Sequence, residues 1–273
     1  MRWLILLMAC SRSAPPGFGE AQRPVTVDVS RLETPEELLH ALQLPGAELD
    51  KRLGAHALQA HSTLKMEPPG RPTEELDETY HLDSDGKGAV HLVHDNARDG
   101  LEAVVSGGVV YVKPRYGQWT RRRPEGEDVE RLRDNVEGVA AGYFELLQRW
   151  LEVKPIARSG NAVKLALSAR SSPASGPQES LPYRKWRDTV KVQRLDGEWT
   201  LDATSGAPLG GRLEASWTFE RSDLKGPTVV TLKYEQSAAA AAAIVPPSDA
   251  VEARRTRPLL DRDQLLDGIK TAH

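Results

Sequence analysis

Residues 127–151 read EDVERLRDNVEGVAAGYFELLQRWL, and the fold turns on this stretch. Val129, Leu132, Val136, Val139, Tyr143, Leu146, Leu147 and Trp150 recur close to every 3.6 residues, the spacing of one helix face. Glu125, Glu127 and Asp128 put acids at the start, where the helix dipole favours them. Pro155, just after Lys154, predicts the stop. At 1.5 Å per residue the helix over Glu127–Leu151 is about 37 Å long, enough to cross a sheet and cover its face.

On either side of this helix the apolar period changes to two. Upstream, strands are predicted from about Ala55 to Met66, over Thr79–Asp83 and over Ala89–His94. Asp83-Ser84-Asp85-Gly86-Lys87-Gly88 supplies turn chemistry between the last two. Leu101–Val105 and Val109–Lys113 form a hairpin around Gly107-Gly108. Downstream, Val163–Ala169 alternates, and Ser171–Ser180 is a Ser/Pro/Gly loop. Thr189–Leu195 and Glu198–Asp202 flank Asp196-Gly197, a strong hairpin signal. Leu213–Glu220 and Thr228–Gln236 pair around Lys225-Gly226. Ahead of all this, 33–53 reads as helical, with Thr34 as cap, Glu36 and Glu37 in the first turn, and a break at Pro45-Gly46. The predicted class is α+β and β-rich: a curved antiparallel sheet, an open barrel, packed around one long amphipathic helix.

The bulk composition suits a packed domain. The chain has 273 residues, 39% hydrophobic and 27% charged, with aromatics at only 5%, so Val, Leu and Ala carry most of the packing. A net charge of −3 gives no electrostatic footprint for nucleic acid. The short basic runs Arg121–Arg123 and Arg254-Arg255 read as a solvated turn and tail, with a membrane-headgroup contact as the other reading.

The chain opens MRWLILLMAC: one positive charge, an apolar run, small Ala9, then Cys10, the single cysteine. This is the order of a secretory signal, and the run is far too short to span a bilayer. Leu7-Met8-Ala9-Cys10 resembles the lipobox of bacterial lipoproteins, matching at Leu7, Ala9 and Cys10, with Met8 less usual. The other reading is an apolar N-terminus with an incidental cysteine. A lone cysteine in an exported protein has no internal disulfide partner, and acylation gives it a use. Each buried CH₂ adds about 0.8 kcal/mol, so two or three acyl chains anchor stably. The division expected is a signal peptide at 1–9, a lipidated N-terminus and linker at 10–32, the β-rich domain at 33–237, and an Ala/Pro linker with a C-terminal helix at 238–273. Ser11 rather than Asp after Cys10 leans toward the outer membrane, facing the periplasm.

The order meander, long helix, meander resembles the LolA/LolB and LppX group of periplasmic carriers over roughly 33–237. Leu201-Asp202-Ala203-Thr204-Ser205-Gly206-Ala207-Pro208-Leu209 is similar to that group's strand-to-strand "D…TG.P" segment. The resemblance implies an open barrel plugged by helices, carrying a lipid, an acyl chain or a lipoprotein, with no catalytic residues. Val136, Val139, Tyr143 and Trp150 are the candidates to line such an apolar pocket; the plainer reading is that they pack a closed core.

No G-x-S-x-G, H-E-x-x-H, Walker A or G-x-G-x-x-G match has its proper context, so no enzyme, cofactor or metal is expected. His81, His91 and His94 gather near the Asp83–Gly88 turn, but His91 and His94 are three apart in a strand and face opposite sides. Three readings remain: a membrane-anchored lipid or acyl carrier, a structural or assembly lipoprotein presenting a surface to an envelope partner, and a hydrolase with a deep polar cleft.

Overall fold

The structure, a computed structural model, describes residues 34–175, 187–221 and 223–253. The signal peptide, Cys10, the whole 10–32 linker, part of the Ser171–Ser180 loop, Arg254-Arg255 and the C-terminal helix over Arg257–Ile269 therefore lie outside the described residues.

Two short helices come first, α1 (Pro35–Leu42) and α2 (Gly46–Leu53). Thr34 caps α1 through a reciprocal pair: its hydroxyl accepts the Glu37 N–H at 3.3 Å, and the Glu37 carboxylate accepts the Thr34 N–H at 3.1 Å. Six strands follow: β1 (His56–Glu67), β2 (Glu74–Ser84), β3 (Val90–Asn96), β4 (Gly100–Ser106), β5 (Val109–Pro114) and β6 (Thr120–Arg122). The long helix α3 spans Asp128–Leu147. Five more strands and a short last one complete the chain: β7 (Leu151–Ser159), β8 (Ala162–Ala169), β9 (Lys191–Asp202), β10 (Pro208–Glu220), β11 (Pro227–Ala239) and β12 (Val251–Glu252).

All twelve strands belong to one sheet, in the order β12-β6-β5-β4-β3-β2-β1-β11-β10-β9-β8-β7. It is two meanders, β1–β6 and β7–β11, joined where β1 pairs antiparallel with β11. Helix α3 carries the chain from one meander to the other. It contacts both: Val136 packs with Leu58, Tyr80, Leu82, Leu92 and Ala103, while Phe144 meets Trp199 edge-to-face at 5.1 Å. From β6 to β7 a flat sheet would be about 48 Å wide. A single helix reaches both halves because the sheet is curved around it, and the fold is the expected β-rich open sheet. The pairing is antiparallel throughout, except that β12 runs parallel to β6.

Several local expectations are corrected. The helix stops at Leu147, and Trp150 sits in a 3-10 turn, Gln148–Trp150. From Leu151 the apolar spacing is already two, with Leu151 and Val153 buried, so β7 begins there. Pro155 breaks no helix; it lies in β7, an edge strand, beside a bulge, where its missing N–H is tolerated. Arg121 and Arg122 are strand residues, not a solvated turn: Arg122 pairs with Asp128 and Arg121 with Glu252 at 3.0 Å.

Asp196-Gly197 is the largest error, because β9 runs straight through it. Gly197 serves close approach instead of a turn: a Cβ there would stand 2.4 Å from the Arg212 carbonyl oxygen on β10. The sheet also runs past 237. Ala238 and Ala239 end β11, and Ala242 N–H donates to Asp83 at 2.8 Å.

Candidate functional site

Along β1, β2, β3, β8, β9 and β11 alternate side chains turn inward toward α3, and that concave face holds the core. On the β7–β11 side it is aromatic and aliphatic. Trp199 is fully buried, stacked parallel to Tyr234 at 6.3 Å, with Tyr143 5.4 Å from Tyr234. Gly211 makes this stack fit. It pairs with Trp199 across β9–β10, and a Cβ on it would lie 2.8 Å from the indole Cε3. Among the described residues, the buried indole Nε1–H of Trp199 has no hydrogen-bond partner, nor has the Thr228 hydroxyl at the end of the same half.

The four pocket candidates are divided by the structure. Val136 is buried against β1–β4, Val139 bridges the two halves of the core, and Tyr143 packs beside Tyr234. Trp150 is off the helix and half-buried. The space under α3 is filled by Ala140, Phe144, Leu147, Trp199, Leu213 and Tyr234, each at most 1% exposed.

On the β1–β5 side the same concave face carries a polar inlay. Register places Ser62, Glu78 and Asn96 in one row, with Tyr80 and His94 in the next. Glu78 is buried and accepts hydrogen bonds from Tyr80 Oη at 2.6 Å and Asn96 Nδ2 at 3.2 Å, and it lies 2.9 Å from His94 Nε2. The His94 ring stacks on Tyr80 at 4.7 Å. Burial pushes the Glu78 carboxyl up, but these hydrogen bonds outweigh it and hold it below the usual carboxylate range. Above the inlay, Tyr143 Oη and Ser62 Oγ share a hydrogen bond of 2.7 Å, and burial pushes the Tyr143 phenol up to about 12.

A second buried charge group pins the start of α3. Arg133 bonds Asp50 (2.8 Å), Glu137 (2.6 Å) and the Gly46 carbonyl (3.1 Å), and Ser84 Oγ donates to Asp50 at 2.6 Å. Burial raises Asp50, yet Arg133 and Ser84 bring it below its ordinary value, whereas for Glu137 burial prevails and its carboxyl is raised.

Of these residues only His94 and Tyr143 were singled out in the sequence, though a signal for Glu78 existed. In Leu76-Glu78-Tyr80-Leu82 a carboxylate stands on the apolar parity of a strand. Opposite faces for His91 and His94 are as expected. His91 lies outside, 3.1 Å from Glu102, near His81, which contacts Asp83 at 2.6 Å. Among the described residues no group of three or more His, Cys, Asp or Glu is placed to hold a metal ion. A groove of about 650 Å³ also lies on the outer face, running from β8 to β2.

No protein-family model matches the chain, and no curated protein does. Among solved structures it is similar to a LolA superfamily protein from Nitrosomonas europaea, at 12% identity over 75% of this chain and 93% of that one, TM-score 0.21. It is also similar to a domain described as an outer membrane lipoprotein-sorting protein from Vibrio parahaemolyticus (8% identity, 86% and 99% covered, TM-score 0.21). A third is a DUF1329 family protein from Desulfovibrio piger (9% identity, 73% and 91% covered, TM-score 0.22). At these identities and TM-scores the likenesses assign neither a family nor an activity.

Proposed function

We propose that this protein is a lipoprotein of the cell envelope, anchored through Cys10, whose β-rich body binds a lipid or acyl chain on the concave face beneath α3. The observation that carries the reading is the combination at Trp199: a wide apolar surface with a buried N–H donor at its centre that finds no partner among the described residues. An orphaned donor of this kind costs about 1–3 kcal/mol, which an ester or carboxyl oxygen at the head of an acyl chain would offset. Because the interior is packed, the ligand must displace α3 rather than enter a standing pocket. Lifting Val136, Phe144 and Leu147 off the sheet costs roughly 7 kcal/mol, while burying a 14-carbon chain contributes about 10 kcal/mol before ordering costs. The exchange is near balance, as a reversible carrier requires. Small residues Gly138, Ala140, Ala141 and Gly142 in mid-helix keep that cost low.

The packed interior also favours a second reading, a structural or assembly lipoprotein that presents its surface to an envelope partner. Native mass spectrometry of the full chain carrying Cys10→Ala separates the two. The carrier reading expects co-purified lipid, or uptake of added palmitate at one per chain. A chain that is bare and takes up none, but is crosslinked to a discrete envelope protein, supports the second reading.

A further inference from the structure

We propose that the outer groove is a binding site for a zwitterion, a phosphate ester carrying an amine about 5 Å away, as in phosphoethanolamine. It lies on the face opposite α3 and stands independently of any acyl ligand beneath the helix. The groove crosses the strands at right angles, and two adjacent rows of side chains line it. In the first row Glu198, Arg212 and Glu235 stand directly opposite one another on β9, β10 and β11. The second runs Lys164, Thr200, Gly210, Ser237, Gln59, His81 from β8 to β2, and its middle four residues are uncharged.

Glu198 is already satisfied by Lys164 at 2.6 Å. Arg212 and Glu235 are not. They are cross-strand neighbours whose Cβ atoms stand about 5 Å apart, yet among the described residues neither makes an ion pair or side-chain hydrogen bond. An open cation and an open anion thus lie side by side at the spacing of neighbouring strands, about 4.8 Å.

That arrangement discriminates by charge pattern. A lone phosphate on Arg212 is repelled by Glu235, and a lone ammonium on Glu235 is repelled by Arg212. A molecule with both charges gains two direct attractions, and the like-charge repulsions remain only across the longer diagonals. The planar guanidinium offers a fork to phosphate oxygens, and the carboxylate accepts from the ammonium. The uncharged middle of the row beside them, Thr200 to Gln59, supplies hydroxyl and amide partners to the ester arm. Gly210, at φ +124°, leaves the floor of that row open: any Cβ there would meet the Gln236 carbonyl oxygen at 2.3 Å.

The test is calorimetric titration of the full chain carrying Cys10→Ala with O-phosphoethanolamine, inorganic phosphate and ethanolamine, beside sedimentation with phosphatidylethanolamine vesicles and with phosphatidylglycerol vesicles. O-phosphoethanolamine is expected to bind saturably and more tightly than either fragment. Arg212→Ala and Glu235→Ala should each weaken it about fivefold, the scale of one exposed ion pair. The double swap Arg212→Glu with Glu235→Arg should recover most of the affinity. Selective sedimentation with phosphatidylethanolamine makes the source a lipid headgroup; binding of O-phosphoethanolamine without sedimentation makes it a free ester. Binding no tighter than that of phosphate alone, or unchanged by both alanine variants with the fold intact by circular dichroism, overturns the proposal.

Discussion

Across the β1–β11 seam the concave face changes character. On the β7–β11 side Trp199, Tyr234 and Leu213 meet Phe144 of α3 with hydrocarbon and aromatic rings; Tyr234 Oη donates to Gln236 at 2.8 Å, while the Trp199 Nε1–H and the Thr228 hydroxyl find no partner among the described residues. On the β1–β5 side Glu78, Asp50 and Arg133 are also buried, but each is surrounded by hydrogen-bond partners. Burying charge is costly unless every lone pair is met, so that half depends on geometry where the other depends on area. On the proposed reading, the first half is the surface an apolar ligand would share. The second fixes where α3 begins.

Substitutions probe this contrast, beginning with the largest effect. Trp199→Ala should destabilise by about 4 kcal/mol in urea unfolding, because it empties the centre of the aromatic stack. Arg133→Met leaves Asp50 and Glu137 buried without their cation, and should cost about 3 kcal/mol. If Arg133→Met proves neutral, the two halves do not differ as described. Glu78→Gln should cost about 1 kcal/mol at pH 7, since Gln keeps the shape but loses the charge-assisted bonds.

The pH dependence of stability has a definite sign. Glu78 and Asp50 have folded-state pKa values below their unfolded ones, so the unfolded chain binds more protons in acid. Their stabilisation is present above about pH 4 and lost as pH falls through the folded values. Glu137, whose carboxyl is raised, opposes this: its contribution is present in acid and lost as pH rises through its folded value. Glu78→Gln should accordingly flatten the acid limb of a stability profile between about pH 5 and pH 2. An unchanged limb would show that the inlay is not ionised as described.

Much of the architecture was legible wherever local chemistry and tertiary context agree. The Asp83–Gly88 turn is an example: Asp85 accepts N–H bonds from Lys87 at 2.7 Å and Ala89 at 2.9 Å, all within five residues. The Thr34 cap and the Gly107-Gly108 hairpin are local in the same way. Gly197 was misread because its reason is a carbonyl on another strand, which no local pattern carries. Strand β7 was hidden because Trp150 and Leu151 extend the helical spacing up to the residue where the period changes. Of the site, the helix face was legible only in part: Val136 and Leu147 are buried as the spacing implies, but Ala140 and Phe144, which it passed over, are buried too, and beneath them Trp199, Tyr234 and Gly211 come together only through register across three strands.

The most direct test of the concave face as the ligand surface is quenching of Trp199 by a brominated acyl chain. Trp217 is buried in the same core. Titrating the Cys10→Ala chain with 9,10-dibromostearate should quench tryptophan emission saturably, and Trp199→Phe together with Trp217→Phe should remove most of that quenching while the melting transition stays cooperative. Saturable quenching that persists in that double variant, or no quenching at all, would contradict an acyl chain beneath α3.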